Sequence, residues 1–325
     1  MEYRRLGRTG LNVSLLSLGS GGPNRFGQSH YAGRKNIVRL VRHALDLGIN
    51  FFDTAPSYGK SEGLLGEALK DVPRDRFLVS TKILPVHRGK IISAVDARRQ
   101  VESSLQELGV DELDILQLHR VSLETYDEVL GRLMPELENL RSAGKIRYIG
   151  ISESSLLDPH HLMLKRALQD DLFDTIMVAY NLANSSAEDV VFPTALANDV
   201  GVIGMVSARH LVSRNFGERV KLFSRALAGL VASPPVPDKL KIRLQGTLLA
   251  LRRSRVGVAT AVSRDSGQES LLLPSAAYTF SVSHPVVATV LTGTIVPAHL
   301  QQNIAATLAP ALTAGEIKQL RSLLD

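Results

Sequence analysis

The chain is 325 residues long and 44% hydrophobic, contains neither cysteine nor tryptophan, and carries a formal net charge of +6. That length suits one α/β barrel with a core large enough to need no disulfide, and no run reaches the roughly 18 apolar residues of a membrane span. The cationic excess is spread along the chain, and its densest clusters, Arg98-Arg99 and Arg252-Arg253-Ser254-Arg255, are not interleaved with aromatics, so neither a nucleic-acid nor a membrane partner is expected.

Residues 3–6 and 11–14 read as two short strands about the turn Gly7-Arg8-Thr9-Gly10, a hairpin. No long apolar stretch follows the opening residues, so no signal peptide is read, and the expected location is the cytoplasm. Residues 15–18 form a buried strand ending at Gly19-Ser20-Gly21-Gly22. Strand and helix then alternate. A helix over 36–47 stops at Gly48, and a strand covers 49–53. Ser61 is placed to cap a helix over 61–70, with Glu62 favourable in its first turn. A strand ends at Lys82, a helix covers 93–108 ahead of Gly109, and the next strand ends at His119. A helix over 133–142 precedes a strand over 145–151, and a helix over 159–169 precedes a strand over 175–180. A helix over 187–198, a strand over 202–206 and a strand over 286–291 follow, with helices over 297–307 and 314–324 at the end. Eight β–α steps without a linker predict a (β/α)8 TIM barrel, one domain over 1–325 with the hairpin capping its base. Residues 233–274 break the pattern: Pro234-Pro235-Val236-Pro237 interrupts structure, and the segment is read as variable.

Three of the strands end in a polar group: Asp53, Lys82 and His119. Barrels of parallel strands place such groups in a shared mouth. Tyr58 lies five residues past Asp53, in the loop Thr54-Ala55-Pro56-Ser57-Tyr58-Gly59. A phenol is a weak acid at neutral pH, with an ordinary pKa of about 10. An ammonium beside it favours the phenolate, and Asp53 is placed to hold Lys82 charged. The bland reading of Asp53 and Lys82 is a structural ion pair; Tyr58 is what points to proton transfer. His119, neutral at a strand end, can donate a hydrogen bond to a carbonyl oxygen, whereas His160-His161 is read as helix surface. No metal-ligand spacing is present. Gly19-Ser20-Gly21-Gly22 fails as a dinucleotide fingerprint, because Asn24 stands where the third glycine belongs. Leu291-Thr292-Gly293-Thr294, followed by a helix at Pro297, has the makings of an anion site.

Taken together, these segments resemble the aldo-keto reductase superfamily, its sugar-dehydrogenase and bacterial-type branches more than the aldose-reductase branch. The resemblance is carried by residues 5–14, Phe52-Asp53-Thr54-Ala55-Pro56-Ser57-Tyr58-Gly59, Thr81-Lys82, residues 114–119, residues 144–152, and Gly293-Thr294 with His299-Leu300 and Asn303. It implies an extended NAD(P)H over the barrel mouth and no metal. Tyr58 is then general acid in reduction and base in oxidation, Lys82 tunes it, Asp53 supports Lys82 and His119 orients the carbonyl. Cofactor contacts carried over by position are Ser20, Gly21, Asp53, Ser152, Glu153, Met177, Met205, Ser207, Thr292, Gly293, Thr294, His299 and Asn303. Glu153 stands where the family has a carboxamide-anchoring Asn, Met177 where it has Gln, and Met205 where an aromatic stacks on the nicotinamide; Asn181 is an alternative anchor. At the positions that supply a cation for a 2′-phosphate, only His299 is ionisable, so NAD is expected to serve at least as well as NADP.

The reading is an oxidoreductase interconverting an aldehyde or ketone with an alcohol, the substrate a sugar or hydroxyaldehyde. Gly21 and the lack of Trp suggest an open pocket, with Arg120, Tyr126 and Tyr31 in candidate mouth loops. The alternative is a cofactor-binding homologue, catalytically weak or inactive, acting as a sensor or regulatory subunit. The sequence is compatible with a monomer.

Overall fold

Eight short runs, buried on both faces, pair side by side in parallel and close on themselves in this computed structural model, which describes residues 1–22, 25–28, 33–208, 261–262 and 271–322. The strands are β1 (Leu16–Gly19), β2 (Phe51–Asp53), β3 (Leu78–Ile83), β4 (Leu113–Leu118), β5 (Ile146–Ser152), β6 (Thr175–Ala179), β7 (Gly201–Met205) and β8 (Val287–Thr292). Each pairs with its neighbours in chain order, and β8 returns to β1, so no strand edge is left open. This is the expected (β/α)8 barrel. Tyr31 and most of 233–274 lie outside the described residues; within that segment Ala261–Val262 pairs antiparallel with Leu271–Leu272.

The helices follow the apolar periodicity. In α1 (Arg34–Asp46), Ile37, Leu40, Val41, Ala44 and Leu45 form one buried stripe. The helix α2 (Ser61–Leu69) begins at Ser61 itself. The expected cap is absent, because the Ser61 hydroxyl donates back to the Tyr58 carbonyl at 2.9 Å. In α3 (Ala94–Leu108), Ser93 caps the N-terminus by accepting from the Asp96 N–H, and Gly109 closes the helix in the left-handed conformation (φ 68°). The helix α4 (Tyr126–Ser142) starts seven residues before the expected 133, since Tyr126, Val129, Leu130, Leu133, Leu137 and Leu140 make one continuous stripe. The helices α5 (Leu162–Asp170), α6 (Ala187–Val190) and α7 (Phe192–Ala197) follow. A helix that periodicity did not signal, α8 (Leu273–Ser283), precedes β8; it is buried from Ala276 to Val282 and so shows no amphipathic stripe. The chain ends in α9 (Pro297–Thr307) and α10 (Ala314–Ser322). Among the described residues no helix is long and apolar enough to cross a membrane.

The hairpin of Tyr3–Arg5 with Asn12–Ser14 closes the base. Leu6, Leu11 and Val13 plug the barrel beneath Phe51, Ile115, Met177, Ile203 and Ala288. Arg5 grips Asp199 with two hydrogen bonds of 2.7 Å, and the Tyr148 hydroxyl donates to the Thr9 carbonyl at 2.6 Å. With the base sealed, the open end is the rim formed by the C-terminal ends of the strands.

Candidate active site

Register sets the first pair. Asp53 lies opposite Ser80 on β3, and Lys82, two residues on, faces inward opposite Gln117 on β4. The Lys82 ammonium is 1% exposed and donates to both carboxylate oxygens of Asp53 at 2.6 Å and to the Thr54 carbonyl at 2.8 Å. Burial opposes the charge on Lys82, but Asp53 and the Tyr58 oxygen outweigh it and hold the lysine pKa above its ordinary value. Burial pushes the Asp53 carboxyl up, against the pull of the same ammonium. Gln117, which sequence reasoning missed, donates to Ser80 Oγ at 2.7 Å and to Asp53 Oδ1 at 3.4 Å. Its signal was available: it is a polar residue two before His119, on the strand face it shares with Leu113 and Ile115.

Tyr58 reaches the pair from a short 3-10 turn, Pro56–Tyr58. The Lys82 nitrogen sits 5.2 Å from the centre of the Tyr58 ring. The His119 ring meets Tyr58 edge-on, centres 5.8 Å apart and planes at 87°. Gln28, also missed, clamps this loop to the one after β1: its amide donates to the Tyr58 carbonyl at 2.9 Å and accepts from the Lys60 N–H at 2.9 Å. Gly21 does not leave the pocket open here; it makes room for the phenol. A Cβ on Gly21 would stand 2.7 Å from Cε2 and Cζ of Tyr58. Moving one ring is cheap for stability and costly for chemistry. Gly21→Ala is therefore expected to lower kcat by about 10- to 100-fold with little change in Tm, as steady-state kinetics beside thermal melting would show.

His119 is nearly buried, and its pKa is pushed down to about 3 by burial first, then by the charges of Lys82 and Arg120. It is a neutral imidazole throughout the physiological range, able to donate without ever being an acid of consequence. An imidazole depressed on folding binds its proton more readily when unfolded. Its contribution is complete above about pH 6.5 and is lost as pH falls from there toward 3, on the order of a few kcal/mol. We expect the His119 ring NMR shifts to stay flat from pH 8 to pH 5; an inflection near 6.5 would contradict the neutral assignment.

The remaining positions divide. Ser20 is buried and donates to Thr54 Oγ1 at 2.9 Å, and Ser152 Oγ accepts the Arg120 N–H at 3.1 Å. Thr292 Oγ1 accepts from the Tyr278 hydroxyl (3.0 Å) and from Asn303 Nδ2 (2.9 Å), which ties α9 to the end of β8. Thr294 Oγ1 accepts the Val296 N–H, while Gly293 and His299 are exposed. Met205 is half-buried at the end of β7, and Ser207 Oγ is buried with no partner among the described residues. Two positions lie elsewhere than the resemblance implies. Glu153 spends both oxygens inside the protein: Oε1 accepts the Ala179 N–H at 2.7 Å and Oε2 pairs with His161 Nδ1 at 2.8 Å. His161, expected on a helix surface, is fully buried to make that pair. Met177 is below the rim, in the apolar layer with Ile115 and Ile203. Asn181 turns its side-chain oxygen onto the N–H groups of Ala183 and Asn184. Tyr126 is buried in α4 rather than in a mouth loop; Arg120 is exposed at the mouth.

The Aldo/keto reductase family model matches residues 17–325. The D-threo-aldose 1-dehydrogenase of a Pseudomonas species is 30% identical over 95% of each chain. The L-galactose dehydrogenase of Arabidopsis thaliana is 39% identical over 157 residues, 47% of this chain; the chain thus spans about half (48%) of that relative. The holo form of the aldo-keto reductase AKR11C1 from Bacillus halodurans superposes with a TM-score of 0.69 at 26% identity, covering 100% of this chain and 97% of that one.

Proposed function

The chain belongs to the aldo/keto reductase family, and on that premise we propose that it is an NAD(P)-dependent oxidoreductase interconverting an aldehyde or ketone with an alcohol. The observation that carries this reading is the buried Asp53–Lys82 pair, whose ammonium lies 5.2 Å from the centre of the Tyr58 ring, with His119 in edge contact with the same ring. A structural ion pair alone does not call for a phenol and a neutral imidazole around it.

The residues divide the work. The neutral His119 imidazole donates to the substrate oxygen and orients it. Tyr58 gives its proton to that oxygen in reduction and takes it back in oxidation. The Lys82 ammonium offsets the charge left on the phenol oxygen, and Asp53, steadied by Gln117, keeps Lys82 charged and aimed. When bound, the nicotinamide supplies or accepts the hydride. The residues at the mouth fit such a group: the Ser207 hydroxyl, buried just past β7, has no partner among the described residues, Met205 is half-buried, and exposed Gly293 lies beside the Gly19 and Gly21 carbonyls, where a Cβ would stand 3.8 Å from each. Ser207, Met205, Ser152 and the Thr292–Asn303 network are the residues assigned to holding it. Because both Glu153 oxygens are engaged, Glu153 acts as a brace between β5 and β6, not as a ligand.

The related sugar dehydrogenases favour an aldose or hydroxyaldehyde as substrate. A panel of such aldehydes, followed by NADH and NADPH absorbance, tests the reading. NAD is expected to match or exceed NADP in kcat/KM, since exposed His299 is the one ionisable group at the relevant positions. A hundredfold preference for NADP would refute the cofactor assignment. Binding of NADH without turnover of any carbonyl would favour a sensor or regulatory role instead.

A further inference from the structure

The charges of the barrel are arranged differently at its two ends. At the base they are paired: Arg5 with Asp199, Arg8 with Asp171, Arg42 with Asp71, and Arg147 with both Glu112 and Asp114. At the mouth, Arg34 pairs with Glu67 and Asp96 with Arg99 at helix starts, but the cations of four loops are not paired among the described residues. The loops after β1 to β4, residues 20–33, 54–60, 84–93 and 119–125, carry Arg25, Lys60, Arg88, Lys90 and Arg120. All five are exposed, and none forms an ion pair with a described residue. The same four loops hold a single carboxylate, Glu124, which accepts from Ser122 Oγ at 3.4 Å. Most residues assigned to the cofactor follow β5 to β8 instead, so this cationic sector lies on the substrate's side.

One of the five is more than a solvated surface charge. Arg120 directly follows His119 and holds a left-handed backbone, φ 57°, which a non-glycine residue adopts at a cost. Arg88 (φ 49°) has a local reason, the two-residue turn Arg88-Gly89 between Val86–His87 and Lys90–Ile91. Arg120 lies in no such hairpin; its N–H is instead pinned by the buried Ser152 hydroxyl on β5 at 3.1 Å. The charge of Arg120 is also felt at the His119 ring.

We propose that this mouth selects carbonyl substrates bearing an anionic group, a carboxylate or a phosphate, with Arg120 as the residue that binds it. Arginine suits the task, because its planar fork matches either group with two charge-assisted hydrogen bonds. The surrounding cations, unpaired among the described residues, raise the local concentration of an anionic substrate. The proposal rests on the oxidoreductase reading and names its substrate class.

The test compares kcat/KM within two matched pairs, benzaldehyde with 4-carboxybenzaldehyde and glyceraldehyde with glyceraldehyde 3-phosphate, at low salt. The expected result is an advantage of about tenfold or more for the charged member of at least one pair, shrinking as salt is raised. Which pair shows it separates carboxylate from phosphate. Arg120→Gln should abolish the advantage and Arg120→Lys should keep part of it. Equal values within both pairs, or an advantage that survives in Arg120→Gln, overturns the proposal. A rise in cofactor KM in Arg120→Gln with an unchanged charged-to-neutral ratio would assign the guanidinium to the cofactor and overturns it equally. The parent reading fails separately, if no aldehyde is turned over with either cofactor. Calorimetry then decides: tighter binding of 4-carboxybenzyl alcohol than of benzyl alcohol, lost in Arg120→Gln, upholds the anion site, and equal binding overturns it.

Discussion

Tyr58→Phe is expected to lower kcat about 10²- to 10⁴-fold while leaving NADH binding and stability close to wild type. The change removes one oxygen and little else. The ring keeps its place against Gly21, its 5.2 Å approach to the Lys82 ammonium and its edge contact with His119. What disappears is the proton that the substrate oxygen needs as it gains charge. The buried Lys82 ammonium loses its interaction with the Tyr58 oxygen but keeps Asp53 and the Thr54 carbonyl as acceptors, so it is not stranded. A fall in kcat with the cofactor dissociation constant held is the signature of a group acting on the reacting atoms. Turnover within a few-fold of wild type would remove Tyr58 as the acid.

Lys82→Met is expected to act on two levels at once. It removes the ammonium beside the phenol, so turnover falls as for Tyr58→Phe. It also leaves Asp53 buried without its cation, a loss of about 3–5 kcal/mol in the manner of other broken buried pairs. Burial already pushes the Asp53 carboxyl up, and without Lys82 nothing of comparable strength opposes that. The sign follows. A carboxyl raised on folding is tolerated below the unfolded-state pKa, and stability is lost as pH rises through its folded value. The Tm deficit of Lys82→Met should therefore grow from pH 4 to pH 7. The double variant Asp53→Asn/Lys82→Met removes the stranded charge, and it should regain much of the stability and none of the activity. If the double variant were as unstable as the single, the deficit would come from lost packing and not from the buried carboxylate.

Much of this site was legible beforehand because its signals are local. A short apolar run with a polar group at its end, between helical stripes, identifies both a strand and a rim position; Asp53, Lys82 and His119 are legible that way, and Tyr58 by its place in the loop after Asp53. Helices with one wet face were found by periodicity, whereas α8, apolar all round, carries no stripe to find. The early start of α4 and the position of Ser61 inside α2 depend on contacts made by Tyr126 and by the Tyr58 carbonyl, which a linear pattern does not display.

By itself, then, the chain's pattern of apolar runs and polar ends determined the barrel and the side chains at its rim, because burial periodicity is written residue by residue. Only the tertiary structure decided which of those side chains meet. Glu153 turns to His161 and Ala179 instead of outward, Gly21 yields its space to the phenol, and Gln117 steadies Asp53. Each depends on ångström-scale packing between segments joined only by the closure of the barrel, and hydrogen bonds and steric contacts at that scale have no counterpart in local sequence.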